Sequence, residues 1–142
     1  MDGVPEFALR QRLREATVVS DLAGTVGGVP AIDIGERKSN EVTAFPAAVQ
    51  TLIAPGRIYD QDGPGATRKG LYRFETFGLT ADSTLLLTEA IADELEIKPD
   101  ASIAGVRFQR GTVFANRNGG VETLGDLTIH RRILDMEITT TT

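Results

Sequence analysis

The chain has 142 residues, 41% of them hydrophobic and 25% charged, a size and balance that suit one globular domain with a modest core. Twenty acidic against 15 basic side chains leave a formal charge of -5, which argues against a surface built to grip nucleic acid by neutralising its phosphates. The absence of cysteine excludes disulfides, thiolate nucleophiles and cysteine metal sites.

Helical spacing of Phe7, Leu9, Leu13 and Ala16 after Pro5 and Glu6 predicts a first helix from Pro5 to Ala16. Arg10, Arg12 and Arg14 fall between the apolar positions and read as a solvated basic face. Ser20-Asp21-Leu22-Ala23 suits the cap of a short second turn, and Gly27-Gly28 ends any helical pattern before Val29-Pro30 resumes as extended chain. Ile32 to Thr43 is polar enough to predict a mobile loop that includes Arg37 and Lys38. Between Phe45 and Tyr59, β-forming residues are interrupted by Pro46, Pro55 and Gly56, which predicts two short strands or one bulged edge strand.

Asp60 to Gly70, with three glycines and a proline besides Asp62, Arg68 and Lys69, is expected to form a protruding hairpin tip. Leu71 to Leu79 is the clearest strand. Tyr72, Phe74 and Thr76 share one face, Arg73, Glu75 and Phe77 the other, and three of the eight aromatics lie here, so it should be central to the sheet. A second helix is predicted from Thr80 or Asp82 to about Glu96, with Leu87, Ala90, Ile91 and Leu95 as its stripe and Pro99 as its stop. Val106 to Phe114 then reads as a strand, Asn116 to Gly120 as a turn and Leu124 to Ile138 as the antiparallel return. Apolar parity in that return changes between Ile129 and Leu134, predicting either a bulge near His130-Arg131-Arg132 or cover on both faces. Thr139 to Thr142 is expected to fray.

Catalytic chemistry is scarce. His130 is the sole imidazole and cannot complete a metal shell without cysteine, and no serine sits in a nucleophile-elbow context. Asp60-Gln61-Asp62-Gly63 begins like a calcium loop, but Leu71 stands where the terminal glutamate is required. No enzyme, metal or cofactor is expected. With no run of about 18 apolar residues and no basic region before an apolar run at the start, the expectation is a soluble protein that assembles in the cytoplasm.

Several pieces in order resemble the tail completion, or tail terminator, family of long-tailed phages and gene transfer agents. They are Ala8-Leu9-Arg10-Gln11-Arg12-Leu13 with Leu22-Ala23, then Gly56-Arg57-Ile58-Tyr59, then Leu71 to Gly78, Thr88 to Leu95 and the closing Arg131 to Ile138. In many relatives the Gly-Arg-Ile-Tyr tetrapeptide comes earlier, before the first strand. The resemblance implies a single α+β domain over residues 1–142, with one mixed, mainly antiparallel sheet backed by two main helices. It also implies a ring, usually six-fold, at the head-proximal end of the tail tube, which ends tube growth and joins the tail to the head connector. The implied partners are copies of itself, the major tail tube protein and a head-closure or connector protein. DNA would pass through the lumen unbound, with no membrane involved. Arg37, Lys38, Asp60, Asp62, Arg68 and Lys69 are the candidate assembly contacts. A head-closure or connector adaptor of the neck is the alternative.

Overall fold

The computed structural model describes residues 3–60, 63–98 and 101–142, with backbone alone for 57–60 and 63–66. Helix α1 (Pro5–Glu15) begins on proline, carries Glu6 in its first turn and leads into a single further turn, α2 (Thr17–Ser20). Strands β1 (Thr25–Val26) and β2 (Val29–Pro30) form a small hairpin around Gly27 and Gly28. Both glycines have positive φ, 59° and 79°, as a tight hairpin turn of the primed class demands.

The main sheet contains β3 (Ile32–Ile34), β4 (Ala47–Ala54), β5 (Arg57–Asp60), β6 (Gly63–Gly78), β7 (Ser102–Ile103), β8 (Val106–Phe108), β9 (Thr112–Leu124) and β10 (Leu127–Thr141). Its strand order is β3-β4-β6-β10-β8-β7, with β5 added to β6 and β9 to β10. All pairs are antiparallel except β3 with β4, so the fold is α+β around a mixed, mainly antiparallel sheet. The β6–β10 ladder, from His130↔Gly78 to Thr141↔Thr67, forms its spine. Alternation along β6 buries Tyr72, Phe74 and Thr76 against the helices. From β10, Leu134, Met136 and Ile138 join them.

Helix α3 (Ala81–Ile97) opens on Thr80, whose side chain accepts from the Ser83 amide at 3.1 Å. Leu87, Ile91 and Leu95 enter the core beside Ala8, Leu9 and Leu13 of α1. Thr88 of α3 is hydrogen-bonded to Thr76 of β6 at 2.5 Å, so the two buried hydroxyls pair across the helix–sheet seam. A second buried group, Phe45, Ala47, Val49 and Ile133, lies outside that main cluster, on residues of the opposite strand parity.

Several sequence expectations are corrected. Ile32–Ile34 is a strand rather than loop, because Ile32 and Asp33 are buried and pair with β4. The stretch from Phe45 to Tyr59 does hold two strands, β4 and β5, but β4 is no edge strand between Ala48 and Gln50, where β3 and β6 flank it, and its register shift falls between Leu52 and Ala54. The short second turn covers Thr17–Ser20, ahead of the proposed cap at Ser20. Glycine-rich 63–70 belongs to β6 rather than to a tip; residues 61–62 of the expected tip and the Pro99 stop lie outside the described residues, while α3 itself ends at Ile97. Val106 to Phe114 is broken into β8 and the start of β9.

The Asn116–Gly120 turn is instead part of β9. Gly119 is the extra residue of a bulge opposite Arg131 and Arg132, and a Cβ there would lie 2.9 Å from Arg131 Cγ. The real turn is Gly125-Asp126, with Gly125 at φ 59°. Thr139–Thr141 does not fray: it pairs with Lys69, Arg68 and Thr67, and Thr140 is buried. Of the two readings of the parity change in the return strand, cover on both faces is the one that holds: β10 pairs with β6 without a shift from His130 to Thr141, Ile129, Ile133 and Leu134 are all buried, and the bulge opposite Arg131 and Arg132 has its extra residue on β9.

Candidate assembly surfaces

Among the described residues, Arg37 and the pair Arg68–Lys69 fall near opposite ends of β6. Arg37 lies over the rings of Phe77 at 4.7 Å and Phe45 at 5.2 Å, and its guanidinium approaches Glu122 of β9 at 3.8 Å. Its side chain therefore lies on the Phe77 face of β6, opposite the helices, and is committed to intramolecular contacts. Lys38 is exposed and, among the described residues, pairs with Glu36 alone, at 3.7 Å.

Arg68 and Lys69 occupy the far end of β6, opposite Thr140 and Thr139. Asp60 ends β5 opposite Gly63, and Asp62 lies outside the described residues. Past Thr67 the β6 strand has no partner on β10, so β5 and β6 continue as a two-stranded extension. The length of β6 between Arg68 and Phe77, about 30 Å of extended chain, keeps the two sets apart. Arg37 and the Arg68–Lys69 pair therefore do not form one site.

None of the candidate contacts lies on β9, yet it offers the longest free edge among the described residues. Among the described residues β9 pairs with β10 alone, along Thr112 to Leu124. Phe114 and Val121 are each 59% exposed on it, and Leu124 is exposed too. Unpaired main-chain groups beside exposed apolar side chains favour addition of another strand. The run was hidden because glycines and asparagines at 116–120 read as a turn, although Val113, Phe114, Val121 and Thr123 are strand-forming residues.

A buried charge network was also missed. Arg12 is not on a solvated face: it is 3% exposed and donates through Nη2 to the carbonyls of Glu94 at 2.8 Å and Lys98 at 2.6 Å. Its Nε approaches Glu94 Oε1 at 3.4 Å, and its guanidinium lies 5.2 Å from the centre of the Phe108 ring. A cation thus closes the carbonyl end of α3, where the helix dipole is negative. Burial lowers the Arg12 pKa and Glu94 opposes the shift, but arginine stays charged. Arg14 is also occupied, donating to Ile32 O at 2.9 Å and to Asp33 at 3.0 Å.

On the opposite face Arg73 grips both oxygens of Asp135, at 2.9 and 3.1 Å, and Arg117 approaches the same carboxylate at 3.6 Å. The hydrogen bond from Arg73 is the main cause holding the Asp135 carboxyl below the usual range, with the charges of Arg73 and Arg117 adding to it against desolvation. Arg131 similarly pairs with Glu75. No group of three or more potential metal ligands occurs among the described residues, and no described helix is long and apolar enough to cross a membrane.

No protein-family model matches the chain, and no curated protein sequence matches it. The fold, in contrast, is found among solved structures. A chain of the virion of a native gene transfer agent particle superposes with a TM-score of 0.64 at 16% identity, covering 99% of this chain and 96% of its own. A second solved chain gives a TM-score of 0.53 at 13% identity, covering 94% of this chain and 92% of its own. At such identities the likeness is one of fold, and it spans the whole sheet and its helices.

Proposed function

We propose that the chain is a structural virion protein, without catalytic activity, whose copies form a six-fold ring at the head-proximal end of a tail tube. The ring ends tube growth and joins the tail to the head connector, after assembly in the host cytoplasm. The observation that carries this reading is the end-to-end likeness to a chain of a gene transfer agent virion, with neither chain leaving a sizeable part unmatched. Two features of the molecule agree with it. A ring must mate unlike patches, and the free β9 edge supplies one long patch of main-chain donors and acceptors. A ring between tube and connector also needs two distinct ends, and exposed Lys38, next to the Arg37 that stacks on Phe77, lies apart from Arg68 and Lys69 near the other end of β6. The net charge of -5 suits a lumen that DNA crosses without being held.

Electron microscopy of particles assembled after deletion of this reading frame tests the proposal. Tails of uncontrolled length, unattached to filled heads, are expected. Normal-length free tails beside leaking heads would move the chain to the head-closure side of the neck, and intact infectious particles would overturn any neck role.

A further inference from the structure

Helices α2 and α3 leave a groove between them that the fold does not fill. Its cavity of about 560 Å³ is lined by Val18 and Leu22 on one side and by Leu86, Ala90 and Ile97 on the other. Val18, Leu86 and Ile97 are 49%, 55% and 62% exposed, a concentration of bare apolar surface that a helix normally turns inward. The rim is acidic. Asp21, Glu89 and Asp93 border the groove, and neither Asp21 nor Asp93 has an ion-pair partner among the described residues. Lys98, the one cation among the described residues of the rim, is engaged with Glu94 at 3.2 Å.

We infer that this groove receives an amphipathic, lysine- or arginine-bearing helix of a different protein. The apolar floor calls for an apolar stripe, and the uncompensated carboxylates call for flanking cations. From Leu86 to Ile97 the floor runs along about 16 Å of helix, three turns, which suits a helix lying lengthwise with anchors at successive turns. A second copy of this chain does not provide that occupant. Its α1 has arginines, but the apolar stripe of Ala8, Leu9 and Leu13 is buried in its own core, and α3 carries acids with no arginine. The inference concerns the chemistry of one groove and stands apart from where in a virion the chain sits.

The test is a titration of the isotope-labelled protein, followed by NMR, with a helical peptide of about 15 residues patterned with leucine on one face and lysine on the other. A matched leucine–glutamate peptide serves as comparison. Shifts confined to Val18, Leu22, Leu86, Ala90 and Ile97 are expected, with affinity at least about tenfold above the glutamate peptide and falling with added salt. The double variant D21K/D93K, at two exposed positions, should remove that preference while leaving the spectrum folded, and Leu86→Asp should abolish binding of both peptides. Equal affinity for the two peptides, shifts centred on another surface, or an unchanged preference in D21K/D93K would each overturn the inference.

Discussion

Arginine meets carboxylate in two regions of this molecule under opposite conditions. At the α1–α3 seam Arg12 and Glu94 have side chains 2% and 9% exposed, and Arg12 also satisfies two main-chain carbonyls. On the far face of the sheet Arg73 and Asp135 make better hydrogen-bond geometry but are 35% and 13% exposed. Geometry alone would rank the second pair first. Desolvation reverses the order, because removing one partner at the seam leaves a charge that water cannot reach, whereas on the sheet face solvent and salt take up the loss.

The largest effect should therefore come from Arg12→Met. It strands the Glu94 carboxylate with Lys98 as its remaining partner and uncovers the Glu94 and Lys98 carbonyls at the end of α3, at a cost of about 3–5 kcal/mol in denaturant unfolding. A cost below about 1 kcal/mol would mean that the seam behaves like a surface pair. The comparison sharpens with the double variant R12M/E94L, which removes both charges. It should recover the part of the loss that comes from the stranded carboxylate, while the two carbonyls stay uncovered, since replacing a buried pair by apolar groups is often neutral.

How far the sequence foretold these regions depended on whether a pattern was local. Alternation of Tyr72, Phe74 and Thr76 marked β6 as central, and Thr80 marked the start of α3, because pleat and cap are set by neighbouring residues. Arg12 was grouped with Arg10 and Arg14 as a basic face, although it stands three residues after Leu9 and four after Ala8, on the buried stripe. That spacing was the available signal. Strand order was not local: the terminal threonines resembled a loose end until β6 and β8 supplied partners, and the glycine pair at 119–120 resembled a turn until β10 fixed it as a bulge. Of the candidate contacts, charge identified exposed Lys38, but it could not reveal that Arg37 is already stacked on Phe45 and Phe77.

Intermediate in size is the acid dependence of the sheet face. Because the folded-state pKa of Asp135 is depressed, its contribution is fully present above the unfolded carboxylate value, about 3.9, and disappears as pH falls through the lower folded value. Asp135→Asn should flatten the low-pH limb of a stability–pH curve while leaving the curve's shape near neutrality unchanged. An unaltered acid limb would show that the Arg73 contact contributes nothing measurable. Arg73→Ala, read at low salt, should cost no more than about 1 kcal/mol and lose most of that difference in high salt.

The smallest effect on folding belongs to the β9 edge, and it separates stability from assembly. Phe114 and Val121 are each 59% exposed, so the double variant F114S/V121S uncovers little buried surface and should stay within about 0.5 kcal/mol of the parent. If β9 is where copies join, the same substitutions remove the apolar flank of the edge while leaving its main-chain groups in place. Virions carrying the variant should then show the long, unattached tails of the deletion, despite a normal unfolding curve for the isolated chain. Normal tails would free β9 from ring contacts, whereas a destabilised monomer would mean that Phe114 and Val121 support the hairpin itself. Only the combination of a stable subunit and a failed junction assigns the edge to assembly, the counterpart of Arg12, whose loss is expected to act on the fold first.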